Sequence, residues 1–291
     1  MLVCLAALTV VVEDSQAITA GFVGNAIHVN PDSRGAGRAR RVRDWAVCSA
    51  CKLYVLPGDP RASLAAEKLR DQLGECDVVF DAPATCNEAS VFFGEDGRME
   101  LLREKEKAGA GFRSDLPDVL QNLCSSSTLQ RDPLVKSLGK NVGRSLSIVD
   151  ATGGFGHDSL RMACSGHNVT CLERDPVVYS FLADSRMEAK GGSLHLLNSE
   201  AMSWLRAAVE EDVKVDIVYL DPMFPSSKHK SALPKRRMQW LREYLGPSAA
   251  ATPQAEQEEL QQLLDAAKRV AKKVVIKRAD DGPVVSNQKR I

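Results

Sequence analysis

The chain lacks an excess of either charge: 38 basic and 38 acidic residues leave its 291 residues formally neutral. That excludes a surface coated for polyanions, so any nucleic-acid contact must come from a local patch. A closed zinc site is missing as well. "CSAC", Cys48–Cys51, has CxxC spacing, but no second CxxC or HxxxH follows to complete it. The eight cysteines are scattered through a chain far longer than a disulfide mini-scaffold, which reads as reduced thiols inside a cell. No metal is expected. Nor does the chain open with a membrane span: "MLVCLAALTVVV" is too short to cross a bilayer and lacks the basic start of a secretory signal. Internal repeats at solenoid spacing are absent.

The organisation falls into three zones. Residues 1–44 are an uncertain leader with two readings. The apolar opening reads as a core strand; with the acid-free "GRARRVR", residues 37–43, it reads as an organellar presequence. The first implies the cytoplasm, the second an organelle interior. Residues 45–140 form an N-terminal α/β region. There "WAVCSACKLYVL" and "CDVVF" read as strands, "PRASLAAEKLRDQLG" as a helix stopped by Gly74, and "MELLREKEKAGAGF" as a charged helix.

Residues 141–291 have the clearest rhythm. The strands "SLSIVD", "NVTCLE", "SLHLLN", "VDIVYLD" and "KVVIK" alternate with the helices "GHDSLRMACSG", "PVVYSFLADSRMEAK", "AMSWLRAAVEE" and "PQAEQEELQQLLDAAKRVA". Such alternation predicts βαβ units. The fold class is α/β, a Rossmann-like, doubly wound and mostly parallel sheet with its ligand site at the carboxyl ends of the strands.

Those strand ends carry the chemistry. The first gives "DATGGFGHD", with Asp150 before a glycine loop, Gly154 and Gly156. Glycines let the backbone approach a ligand, and the helix start offers free N–H groups; a plain tight turn is the alternative. Ser159 replaces the third glycine of a dinucleotide fingerprint, and Asp150 would repel a pyrophosphate but welcome a cationic amino-acid tail. Both disfavour a dinucleotide oxidoreductase. Glu173 ends the second strand, placed to accept hydrogen bonds from ribose hydroxyls. Ser199, Glu200 and Ala201 follow the third, beside the position of an adenine ring.

The fourth strand ends in "VYLDPMFP". Asp221 and the carbonyl of Pro222 can accept both hydrogens of an exocyclic amine, and Phe224 can stack on its ring. That suits methylation of a planar amine by in-line displacement at a sulfonium methyl carbon. Downstream, "SSKHKSALPKRRMQWLR" carries Lys228, Lys230, Lys235, Arg236, Arg237 and Arg242 without an acid, a patch for a phosphate backbone. Lys277 and Arg278 extend it at the next strand end.

"DATGGFGHDS", "LERDPVV", "VYLDPMFP", "KSALPKRRM" and "VVIKR" together resemble the bacterial ribosomal small-subunit methyltransferase J family across about residues 131–280. The resemblance implies a class I methyltransferase fold, S-adenosylmethionine as cofactor, and methylation of the exocyclic N2 of one guanosine in 16S rRNA, naked or in the assembled small subunit. By motif it assigns His157, Asp158, Glu173, Arg174, Glu200 and Ala201 to the cofactor and Asp221 to catalysis at its edge. The family continues past "VVIKR" into a closing strand pair, whereas "ADDGPVVSNQKRI" has little strand character. An open sheet edge is therefore expected. The sequence is also compatible with two alternatives: an amino-methyltransferase acting on DNA or protein, and an inactive relic that binds cofactor or RNA without turnover.

Overall fold

In the computed structural model the described residues are 7–12, 52–56, 60–73, 78–81, 85–94, 97–123, 128–139, 143–185, 189, 191–222, 236–245, 253–278 and 289–290. The chain begins with β1 (Ala7–Val12), β2 (Leu53–Val55), α1 (Pro60–Leu73), β3 (Val78–Val79), β4 (Ser90–Phe93) and β5 (Met99–Leu102). Next come α2 (Leu116–Leu123) and α3 (Pro133–Leu138). The alternating part runs β6 (Ser147–Asp150), α4 (His157–Cys164), β7 (Asn168–Glu173), α5 (Pro176–Asp184), β8 (Ser193–Asn198), α6 (Ala201–Glu210) and β9 (Val215–Leu220). It closes with α7 (Arg236–Leu245), α8 (Pro253–Val270), β10 (Ala271–Arg278) and β11 (Lys289–Arg290).

The main sheet has the order β11-β1-β10-β9-β6-β7-β8. β6, β7, β8, β9 and β10 are mutually parallel, as the βαβ rhythm predicts. All six residues of β9 are buried, the pattern of a strand covered on both faces. On one face, Trp204, Leu205 and Ala208 of α6 and Leu260, Leu264 and Ala267 of α8 pack on Val149, Val218, Leu220, Val274 and Ile276. On the other, Leu134 and Leu138 of α3 and Met162 and Ala163 of α4 cover Ile148, Ile217, Tyr219 and Val275. Each fully buried leucine of these layers contributes about 1.5–3 kcal/mol.

Two sequence expectations change here. The edge beside β10 is not open: β1 pairs with it antiparallel from Ala7↔Arg278 to Val12↔Lys273, and β11 pairs with the far side of β1. Residues 7–12 are thus a strand of the main sheet, the first of the two readings of the apolar opening; the basic stretch at 37–43 and Cys48–Cys51 lie outside the described residues. "MELL", read as the start of a helix, is the strand β5. All four of its residues are buried against antiparallel β4, and sheet pairing overrides helical propensity there.

The second sheet, β3-β2-β4-β5, belongs to the N-terminal region. Its core is shared with the main body. Leu53, Val55, Val91 and Phe93 form one cluster with Phe155, Val177, Phe181, Trp240 and Tyr244. Trp240 donates its indole N–H to the carbonyl of Leu102 at 3.1 Å, tying α7 to β5. The strand order reverses between β6 and β9, so the crevice at their carboxyl ends is a topological switch point. Asp150 and Asp221 stand there.

Candidate active site

The loop after β6 is shaped by close packing. The amide of Gly153 donates to the carbonyl of Leu172 at 2.8 Å, and a Cβ on Gly153 would lie 2.3 Å from Cys171 Sγ. Only glycine fits, although the sequence reading singled out Gly154 and Gly156 instead. Gly156 caps α4 with a φ of 76°, and a Cβ there would meet Leu182 Cδ1 at 2.4 Å. Gly154 turns through a φ of 51° and donates its amide to Glu173 Oε2 at 2.8 Å. The other oxygen of Glu173 accepts from the amide of Asp175 at 2.7 Å. The acid ending β7 therefore clamps the glycine loop to the start of α5, and burial raises its pKa. Each of its oxygens retains a lone pair. Arg174 beside it is exposed.

Asp150 was expected to face a cationic ligand. Its carboxyl is instead buried, accepting from the Thr152 amide at 3.1 Å and the Ser159 hydroxyl at 2.5 Å. It shapes the loop from within. Burial pushes its pKa up to about 7. Because the folded-state value lies above the unfolded one, the stabilisation present below the unfolded value is lost as pH rises towards 7. Asp150→Asn removes that titration. The stability of the variant relative to the parent is expected to improve from about pH 4 to pH 7 and then level off, as read from urea midpoints.

Glu200 is a helix cap: its two oxygens accept from the amides of Met202 at 2.8 Å and Ser203 at 2.6 Å. Ala201 opens α6 behind it. Asn198, which the sequence reading passed over, donates to the carbonyls of Glu173 at 2.8 Å and Arg174 at 3.2 Å. It draws the ends of β7 and β8 together.

At the end of β9 the amide of Asp221 donates to Thr152 Oγ1 at 2.6 Å, joining the motif to the glycine loop. Lys277 donates to Asp221 Oδ2 at 2.7 Å and to Asp158 Oδ2 at 2.6 Å. Tyr219 donates its hydroxyl to the same Asp158 oxygen at 2.7 Å, and Arg161 reaches Oδ1 at 2.9 Å. Burial would raise Asp158, but Lys277, Tyr219 and Arg161 together hold it below its ordinary value. Burial raises Asp221, and Lys277 only partly opposes it. His157 contacts Asp115 at 2.9 Å, and Arg237 pairs with the other Asp115 oxygen at 3.5 Å. Burial, then Arg237, lowers the His157 pKa.

Two arginines of the basic patch pair with acids of the chain itself. Arg236 pairs with Glu106 at 2.6 Å and donates to the carbonyl of Ala110; Arg237 faces Asp115. Lys277, expected on a phosphate backbone, lies between two carboxylates. Pro222 is half-buried beside Asp221, while Phe224, Lys228, Lys230, Lys235 and the side chain of Arg278 lie outside the described residues. Among the described residues, no group of three or more His, Cys, Asp or Glu side chains is placed to hold a metal ion. No described helix is long and apolar enough to cross a membrane.

Comparison with known proteins gives the chain its family. A family model described as "Putative SAM-dependent methyltransferase" matches residues 83–290. Ribosomal RNA small subunit methyltransferase J of Aeromonas salmonicida is 32% identical over 239 residues, 78% of this chain and 87% of that protein. The chain belongs to the ribosomal RNA small subunit methyltransferase J family. Methyltransferase J of Thioalkalivibrio sulfidiphilus is 35% identical over 56% of this chain, and that of Acinetobacter baylyi 33% over 49%. The chain spans 63% and 56% of the length of those two relatives. In three dimensions a SAM-dependent methyltransferase from Neisseria gonorrhoeae superposes with a TM-score of 0.53 at 22% identity, covering 81% of this chain and 88% of that one. It shares the Rossmann-like methyltransferase fold.

The residues present fit S-adenosylmethionine, the methyl donor of this methyltransferase family. The fixed glycine loop brings backbone close to the crevice, and Glu173 keeps lone pairs for a diol. Glu173, Gly154 and Gly156 would hold the cofactor, which would supply an activated methyl group there.

Proposed function

We propose that this chain transfers a methyl group from S-adenosylmethionine to the exocyclic N2 of a guanosine in small-subunit rRNA. Family membership supports the cofactor, and the relatives are named for small-subunit rRNA. The observation that carries the reaction type is Asp221 at the switch point. Its backbone is held by Thr152, one carboxylate oxygen is held by Lys277, and its side chain retains 36% of its surface exposed.

The chain's own residues orient and polarise the amine. A guanine N2 lone pair is delocalised into the ring, which makes it a poor nucleophile. Asp221 Oδ1 and the Pro222 carbonyl accept its two N–H groups, return electron density to nitrogen and stabilise the positive charge that develops there as the N–C bond forms and the sulfonium S–C bond breaks; the donor leaves as a neutral thioether, and N2 then loses one proton to water. Fixing the amine in line with the methyl group supplies much of the remaining rate. Phe224 is assigned to stacking on the base. Phosphate contact falls to Lys228, Lys230 and Lys235, with Arg242 exposed on α7. The reaction belongs where small subunits are made, the cytoplasm or an organelle interior, on naked rRNA or the assembled subunit.

The test offers labelled S-adenosylmethionine with unmodified small-subunit rRNA, intact small subunits, DNA and protein, followed by nucleoside analysis. Label in N2-methylguanosine is the expected result. Label only in DNA or protein overturns the substrate, and no label despite bound cofactor overturns the activity.

A further inference from the structure

Lys277 was read from sequence as one more phosphate contact, and its position in the fold contradicts that. β10 runs parallel to β9 with Ile276 paired to Leu220, so Lys277 comes beside Asp221, the residue that follows β9. Its ammonium lies 2.7 Å from Asp221 Oδ2 and 2.6 Å from Asp158 Oδ2. Asp158 is itself fixed, by Tyr219 from β9 and by Arg161 from its own helix. A continuous chain of charge-assisted bonds therefore runs from α4 through Lys277 to the acid of the proposed reaction.

The geometry points to Lys277 as a positioning residue that acts through Asp221, holding Oδ2 so that Oδ1 faces the amine. This rests on the methyl-transfer reading above. Among the described residues no other group bonds Oδ1, while the Asp221 backbone is pinned by Thr152 and Oδ2 by Lys277. With both points fixed, the carboxylate has lost its rotation, and the remaining acceptor lone pairs have a set direction. An aspartate without the lysine would turn freely and meet the amine in the wrong orientation for much of the time.

The second consequence is electrostatic. The groups facing Asp221 are Lys277 from β10, Asp158 from α4, Asp150 from β6 and Tyr219 from β9. Burial favours the neutral acid, and Asp158 adds to that. A protonated Asp221 would present a donor where an acceptor is needed. Lys277 is the cation that opposes both effects. Burial works against its own charge, but Asp158 and Asp221 outweigh that and raise its pKa, so it stays an ammonium across the working range.

The test uses the full chain with Lys277→Met and Lys277→Arg. Lys277→Met is expected to lower kcat at pH 7 by roughly 10–100-fold, with S-adenosylmethionine Kd and rRNA KM within about twofold of the parent. The loss shrinks as pH rises, because the acid limb of the kcat profile moves to higher pH when the cation is gone. Lys277→Arg keeps the charge and is expected to return that limb close to the parent position, even where its altered reach costs rate. A phosphate contact would do something else: rRNA KM would rise and the salt slope of binding would drop by about one, with kcat unchanged. That result overturns the proposal, as does a loss of kcat that is the same at every pH. If the parent chain moves no methyl to rRNA, the functional reading fails by itself. The role of Lys277 is then read from carbon-13 NMR titration of the Asp221 carboxyl, expected at higher pH in Lys277→Met and overturned by an unchanged midpoint.

Discussion

Asp221→Ala is expected to slow methyl transfer by about 10²–10³-fold while S-adenosylmethionine affinity stays within about threefold of the parent. The split follows from what the side chain touches. Its amide bonds Thr152 through the backbone and survives the substitution, so the join between glycine loop and motif is retained. The carboxylate has one described hydrogen-bond partner, Lys277, and keeps 36% of its side-chain surface exposed. Truncation removes an acceptor whose bond to the amine strengthens as positive charge builds on nitrogen, so the loss falls on the transition state. Lys277 keeps Asp158 as a counter-ion, which limits the structural damage. Single-turnover rates with labelled cofactor, set beside calorimetric binding, separate the two quantities. Full turnover in the variant would remove Asp221 from the mechanism. A collapse of cofactor binding would make it a structural residue of the loop.

The parts of the molecule legible in the sequence are those governed by local periodicity. The alternation from "SLSIVD" to "KVVIK" names five strands, and the five parallel strands of the seven-stranded main sheet lie where it puts them. Asp221 and Glu173 stand out as candidates in the sequence because strand ends in a doubly wound sheet converge. What was missed needs contacts distant in sequence. Nothing local to Ala7–Val12 says that its partner is β10, because the pairing joins the opposite ends of the chain. Gly153 is required by Cys171 and Leu172 on the neighbouring strand, not by a turn signal. Glu200 caps α6, a position where shorter Ser, Thr, Asp or Asn are the usual sequence cue.

The charged residues show the same limit more sharply. Composition weighed Lys277, Arg236 and Arg237 as free positive charge available to a polyanion. In the fold, each has an acid opposite it: Asp221 and Asp158, Glu106, and Asp115 respectively. Two of these acids, Glu106 and Asp115, come from the segment joining the N-terminal sheet to the main body. Arg236 and Arg237 therefore help dock that segment, and Arg237 reaches His157 at the start of α4 through Asp115. A basic run in a neutral chain is as much an internal fastening as an electrostatic face. Only the register of the strands and the packing of α7 decide between the two uses.

Glu173→Ala should have the complementary effect, weakening S-adenosylmethionine binding by roughly 10–100-fold, about what the loss of hydrogen bonds to a charged acceptor predicts. Two effects add. The lone pairs offered to a ribose diol disappear, and so does the clamp from the Gly154 amide to the Asp175 amide. The glycine loop then has to be ordered by the cofactor itself, at the cost of binding free energy. Glu173→Gln is no rescue. Its one oxygen can serve either backbone amide, but its NH2 then confronts the other, donor against donor. The variants are therefore expected to resemble each other in affinity, while turnover at saturating cofactor stays within a few-fold of the parent because Asp221 and Lys277 are untouched. Burial raises the Glu173 pKa, so parent affinity should itself fall as pH drops through that raised value, and both variants should lose this dependence. Calorimetry across pH measures both. Unchanged affinity in Glu173→Ala would show that the acid ending β7 only fastens the loop, and the ribose would have to be held by other groups of the crevice.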